Sequence, residues 1–177
     1  MDGFKEETLK STKLHNGRII SLREDEVKLP NGKVAKREIV EHPGAVIIAA
    51  VTDKKEIVLI RQYRKPVEAV IYEIPAGLVD EGESLKDAAL RELKEETGYV
   101  AGKINQVLSA YTSPGYSTEV IHYFIAKDLK LTGQALDADE VVKVEIVTFD
   151  RAIKMIKDGT IKDNKTIIGI MLAAGKI

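Results

Sequence analysis

At 177 residues the chain suits one domain, or one with a small appendage, and its 44% hydrophobic content is enough for a core. Its 27 basic and 28 acidic residues leave a net charge of −1 with no long basic stretch, which speaks against a dedicated role on nucleic acid or at a membrane surface. There is no cysteine, so disulfides, zinc–thiolate sites and a cysteine nucleophile are excluded together. The opening MDGFKEETLK lacks the apolar core of a signal peptide, and the longest apolar run, Ala45 to Val51, is too short to span a bilayer. The expectation is a soluble, cytoplasmic protein.

Residues 1–42 read as a small β unit. Ile19 to Leu29 has a strand-like but charged pattern and Lys33 to Glu41 answers it. Between them Pro30-Asn31-Gly32 supplies a hairpin turn, with Asn and Gly both expected at φ > 0. So polar and short a sheet buries little by itself and must pack on the main domain or on a second copy of the chain. His42-Pro43-Gly44 marks the boundary, dividing the chain into 1–42 and 43–177. Beyond it, AVIIAAV has the continuous apolar character of a central strand buried on both faces, and Glu56 to Tyr63 returns as a second strand. At its exit stand Arg61, Gln62, Tyr63 and Arg64. Guanidiniums fork onto phosphate oxygens, and both Arg and Tyr stack on bases, although a solvated strand end accounts for the same residues.

The stretch GLVDEGESLKDAALRELKEETGY, Gly77 to Tyr99, is a Gly-rich turn running into a helix crowded with carboxylates. Ser84 is the expected N-cap with Asp87 completing a capping box, nothing interrupts the helix to Thr97, and Gly98 ends it. On a helical wheel Leu85, Ala88, Ala89 and Leu93 form one apolar arc, and Glu92 and Glu96 fall inside it. Ionised carboxylates on a buried face are costly unless a cation offsets them. Mg²⁺ or Mn²⁺ would suit oxygen ligands stacked one turn apart. Arg91 and Glu95, also four apart, can pair beside them. Spacing alone leaves a metal site and a surface helix of charge pairs equally open.

After the helix, Lys103 to Ala110 and Glu119 to Ala126 read as strands around the loop Tyr111 to Thr118, where Pro114-Gly115 favours a tight turn. Lys130 to Glu140 is polar and ends acidic. Val141 to Phe149 is a further strand, Asp150 caps a helix through Lys157, and a last helix runs from about Asn164 to Ala174. An acidic loop beside a metal–phosphate site suits a general base, and a solvated charge cluster is the plainer alternative. His15, His42 and His122 are too scattered to share a metal.

Gly77, Glu83, Arg91, Glu92, Leu93, Glu95, Glu96 and Gly98 resemble, at every interval, the signature box of the Nudix hydrolases. Tyr99 stands where an aliphatic residue is usual. RQYR, then YEIPAG, then the box, with Pro114 fifteen positions after Tyr99, resembles the ADP-ribose pyrophosphatase subgroup. The resemblance implies an α/β fold: a Nudix α/β/α sandwich around a mixed β-sheet, with a small N-terminal β-sheet arm that builds a homodimer and lends residues to the partner's pocket. It implies two or three Mg²⁺ ions, replaceable by Mn²⁺. Glu92, Glu95, Glu96 and the Ala76 carbonyl become the ligands, Arg91 joins the catalytic cluster, and Glu83 plays a supporting part. Arg61, Arg64 and Glu73 line the nucleotide pocket, with Gly115 and Glu119 near the terminal ribose. The water-activating base aligns with Glu140, close enough to Asp137 and Asp139 that a shift of register would move the role. The reaction implied is hydrolysis of ADP-ribose to AMP and ribose 5-phosphate. A pyrophosphatase for another nucleoside diphosphate sugar and a non-catalytic sensor of ADP-ribose or NAD metabolites are the alternatives.

Overall fold

A computed structural model describes residues 3–136 and 141–175. The chain divides into two units, one of Met1–Gly44 with Ala110–Val120, the other of Ala45–Ser109 with Ile121–Ile177. The first holds an antiparallel sheet of β1 (Glu7–Asn16), β2 (Ser21–Lys28) and β3 (Val34–Glu41), in that order. β2 and β3 pair from Ser21 opposite Glu41 to Lys28 opposite Val34, and cross-strand ion pairs join Arg23 to Glu41 at 2.7 Å and Lys36 to Glu24 at 2.8 Å. Such exposed pairs contribute little each. The loop 110–120 is tied to β3 through Val40, whose N–H donates to the Tyr116 carbonyl (2.8 Å) and whose carbonyl accepts from the Thr118 N–H (3.0 Å).

The turn between β2 and β3 differs from expectation. Of the pair Asn31-Gly32 only Gly32 takes positive φ, at 83°. The Leu29 N–H donates to the Lys33 carbonyl and the Gly32 N–H to the Leu29 carbonyl, which makes a three-residue loop with glycine in the left-handed position. Asn31 serves through its side chain, accepting from the Lys33 N–H at 3.0 Å.

The second unit is built on β4 (Ala45–Ala50), which lies parallel to β9 (Val120–Leu131) and antiparallel to β7 (Ala76–Leu78) in a mixed sheet of order β7-β4-β9-β8, with β8 at Tyr99–Tyr111. A second sheet runs β10-β5-β6, from β10 (Lys143–Thr148), β5 (Glu56–Arg64) and β6 (Ala69–Glu73). The strand period of two sends alternate β4 residues to opposite faces. Val46, Ile48 and Ala50 join Ala88, Ala89 and Leu93 of α1 (Leu85–Thr97) in one core. On the other face Ile47 meets α3 (Asn164–Ala173) at Gly169, where an added Cβ would fall 2.3 Å from the Ile74 side chain. A helix on each face of β4 is the α/β sandwich expected.

The helix caps are partly as read. Ser84 Oγ accepts from the Asp87 N–H at 3.1 Å, and its own hydroxyl donates to the Asp87 carboxylate at 2.6 Å. The helix α2 (Phe149–Lys157) is capped by Thr148 rather than Asp150: the Thr148 hydroxyl accepts from the Arg151 N–H, and Asp150 lies in the first turn. Asp163 caps α3, accepting from the Thr166 N–H (2.9 Å) and hydroxyl (2.7 Å), while the Thr166 hydroxyl oxygen accepts from the Ile74 N–H (3.0 Å). That chain of bonds fastens α3 to the segment leading into β7.

Burial pushes the Asp163 carboxyl up, but the Lys165 ammonium and the Thr166 donors outweigh it and hold the acid below its ordinary value. The depressed carboxylate therefore stabilises the fold above its unfolded value of about 3.9, and this share is lost as pH falls through the lower folded value. Asp163→Ala should lower stability by about 1–2 kcal/mol at pH 7 in urea denaturation. The gap should narrow as pH drops through the acid range, and a constant gap would contradict this account.

Candidate active site

The turn from Asp80 to Glu83 and the helix behind it bring the acidic residues together. The Asp80 N–H donates to Glu83 Oε2 at 3.2 Å, and Gly82, at φ 80°, lets the turn close. Arg91 occupies the centre. Its Nε and Nη2 grip Glu83 at 2.9 Å each, Nη1 donates to Glu92 at 2.6 Å and to Glu95 at 3.1 Å, and Nη2 also donates to the Leu78 carbonyl at 3.1 Å. These five bonds match the five N–H groups of a guanidinium. The expected pairing of Arg91 with Glu95 is present, joined by the bidentate bond to Glu83 and the contact with Glu92. The Glu83 hydrogen bonds, with help from Glu92 and Glu95, push the Arg91 pKa still higher despite partial burial. In return Arg91 is the chief reason that the Glu83 carboxyl lies below its ordinary value.

The two glutamates of the apolar arc converge on β7. Glu96 is 2% exposed, and its Oε2 accepts from the Ala76 N–H at 2.9 Å. The Glu92 carboxylate lies against Gly77, where an added Cβ would sit 2.0 Å from it. The Ala76–Gly77 backbone thus meets both carboxylates. All these groups offer hard oxygens, and negative charge is concentrated there, a donor set that fits Mg²⁺ or Mn²⁺ rather than a soft metal. Among the described residues no three acidic or imidazole side chains converge on one point as ligands in this arrangement. Water, substrate phosphate or main-chain oxygen such as the Ala76 carbonyl would complete the shell.

Arg61, Arg64 and Glu73 lie on β5 and β6. Arg64 forms a two-pronged pair with Glu73 at 2.8 and 3.3 Å, and Glu73 is 3% exposed. Arg61 stands over the Tyr72 ring at 5.1 Å, and among the described residues its buried Nε has no hydrogen-bond partner. Tyr72 in turn donates to Glu145 at 3.2 Å, a link between β6 and β10 that the sequence reading did not include.

Gly115 and Glu119 belong to the first unit. Gly115 lines a hollow of about 340 Å³ with Glu6, Arg23 and Arg37. Glu119 accepts from the Thr112 hydroxyl at 2.7 Å and closes the base of its loop. Glu140, Asp137 and Asp139 lie outside the described residues.

A helix that presents carboxylates to a glycine-containing strand, with an arginine knitting them together, is an arrangement suited to a divalent cation and, through it, to a phosphate group. The NUDIX domain family matches residues 40–168, and the nucleoside diphosphate sugar hydrolase N-terminal domain matches residues 6–40. The chain belongs to the Nudix family and is a pyrophosphatase-type enzyme. It is 46% identical over 169 residues to a methanol dehydrogenase activator of Bacillus methanolicus, covering 94% of this chain and 91% of that one. It is 44% identical over 172 residues to an ADP-ribose pyrophosphatase of Bacillus subtilis (strain 168), covering 96% and 93%. The crystal structure of an ADP compounds hydrolase has the same fold, with a TM-score of 0.84 over 98% of this chain and 97% of that one at 22% identity. Among the described residues no helix is long and apolar enough to cross a membrane.

Gly77→Ala tests the contact between Glu92 and β7. Its Cβ would displace the Glu92 carboxylate, and the expected result is a loss of turnover of about 10- to 100-fold in a protein with near-normal thermal stability. Unchanged turnover would show that Glu92 need not lie against this strand.

Proposed function

We propose that the chain hydrolyses the pyrophosphate of ADP-ribose to AMP and ribose 5-phosphate, using Mg²⁺ held by Glu92, Glu95, Glu96 and the Ala76 carbonyl. The observation that carries this reading is the convergence of Glu92 and Glu96 on Ala76–Gly77. The near-full-length similarity to a protein named ADP-ribose pyrophosphatase supports the choice of substrate. Bound there, the metal would neutralise the pyrophosphate and lower the pKa of the attacking water. The chain's own groups do the rest. Arg91 holds Glu92 and Glu95 in place, Arg61 and Arg64 anchor the nucleotide, Glu73 orients Arg64, and Glu140 takes the proton from water as it adds to one phosphorus and the bridging P–O bond breaks.

The N-terminal sheet supports self-association. β1 is exposed along its whole length, with Leu9 and Leu14 among its side chains. A bare strand of ten residues is a template for pairing or packing with another copy. A homodimer is the arrangement proposed, and sedimentation at working concentration would reveal a monomer if that is wrong.

Incubation of the protein with Mg²⁺ and ADP-ribose should release AMP, faster than a parallel assay on GDP-mannose releases GMP. Binding of ADP-ribose without turnover in the presence of metal would make the chain a sensor, and faster release of GMP would move the preferred substrate. Glu96→Gln should nearly abolish turnover while the chain stays folded. Glu140→Gln should cut the rate severely and leave ADP-ribose binding intact. Full activity in that variant would shift the base to Asp139 or Asp137.

A further inference from the structure

A helix leaves its last carbonyls without intrahelical partners. At the end of α1 the Gly98 N–H reaches the Lys94 carbonyl at 2.8 Å, and the rest of the cap comes from a distant segment. The Ala135 N–H donates to the Glu95 carbonyl at 3.1 Å, and the Gln134 carboxamide, thirty-eight positions along the chain, donates to the Glu96 carbonyl at 2.6 Å. Just beyond, the Gly98 carbonyl accepts from the Thr132 N–H (2.7 Å), the Thr132 hydroxyl (3.0 Å) and the Gly133 N–H (3.2 Å). Gly98 has φ +74°, and a Cβ there would stand 2.7 Å from the carbonyl carbon of Gly133 and the nitrogen of Gln134. The glycine that closes the helix is therefore also the seat for this segment.

The two carbonyls capped from the far segment belong to Glu95 and Glu96, residues whose carboxylates stand in the acidic cluster. We propose that Gln134 is a positioning residue for the metal-binding carboxylates, fixing the last turn of α1 through the Glu96 carbonyl so that Glu95 and Glu96 keep their aim. The inference rests on the reading of those two glutamates as metal ligands. Backbone and carboxylate of one residue share a Cα, so slack in the capped turn passes directly to the ligand oxygens. The role differs from that of a stabilising cap because its effect falls on metal affinity.

The test is Gln134→Met, which keeps the side chain's length and removes the donor. Mn²⁺ binding, followed by the free-ion electron paramagnetic resonance signal without substrate, should weaken by about tenfold, as for other groups behind metal ligands. The Mg²⁺ concentration giving half-maximal turnover should rise in parallel, while KM for ADP-ribose at saturating Mg²⁺ stays within about twofold. Gln134→Asn, which keeps the donor on a shorter arm, should fall between wild type and Met. Wild-type Mn²⁺ affinity in a folded Met variant would overturn the proposal. If that variant does not fold, wild-type affinity in the Asn variant would overturn it equally. Weakened Mn²⁺ binding in a protein that never hydrolyses ADP-ribose would sink the proposed function and leave the role of Gln134 standing. Unchanged Mn²⁺ affinity in Glu96→Gln would remove the ligand assignment and this proposal with it.

Discussion

The arrangement around α1 depends on one guanidinium among carboxylates. Glu83, Glu92 and Glu95 would repel one another across a few ångströms, and in a partly desolvated cluster that repulsion is far larger than in bulk water. Arg91 answers them with every N–H it has. The bond to the Leu78 carbonyl also fixes the guanidinium against β7, so the charge network and the strand are positioned together. Lysine could not substitute: a point charge with three donors cannot fork onto Glu83 and still serve Glu92, Glu95 and a backbone carbonyl. The same geometry explains why the cluster suits a divalent cation. Arg91 brings one positive charge to several carboxylates, and an added ion would relieve the excess.

β4 supplies the rigid base for that cluster. Because the strand is buried on both faces, α1 and α3 are each held by an apolar core, one through Val46, Ile48 and Ala50 and the other through Ile47. β7 is only three residues long, yet it pairs with β4 at Ala45, Val46 and Ile47. Its backbone is thereby fixed where Glu96 and Glu92 approach it. The Thr166 hydroxyl holds the Ile74 N–H just upstream. The short strand is thus secured by its sheet partner on one side and a buried polar link on the other, which is how a site on loop-like sequence gains the precision of regular structure.

Much of this was legible in the chain. Two glutamates inside an apolar arc, flanked by Ser84 and Gly98, identified both the helix and its unusual face, and the box spacing identified the family. What was not legible depends on long-range pairing. Gln134 sits in a polar stretch, and nothing local says that its carboxamide meets a carbonyl on α1. Likewise, i,i+4 spacing pairs Arg91 with Glu95 but does not reveal Glu83, eight residues back across a turn. β1 was missed as a separate strand because full exposure gives it no burial alternation to read. Local chemistry also misled: Asp150 and Thr148 are both able caps, and the backbone geometry chose Thr148.

The arginines of RQYR show how a correct local reading can stop short. From residue type alone Arg61 and Arg64 are equivalent anion anchors. In the fold they stand differently. Arg64 is already satisfied by the buried carboxylate of Glu73, so an anion reaching it must share or displace a charge-assisted pair. Arg61 stacks on Tyr72, and among the described residues its buried Nε–H meets no acceptor. An oxygen arriving at the Arg61 guanidinium would meet no competing carboxylate among the described residues, whereas one arriving at Arg64 competes with Glu73. Register decides the difference: Arg61 lies opposite Tyr72 and Arg64 opposite Ala69, so only Arg61 has an aromatic neighbour across the ladder, and Arg64 must reach along the strand to find Glu73.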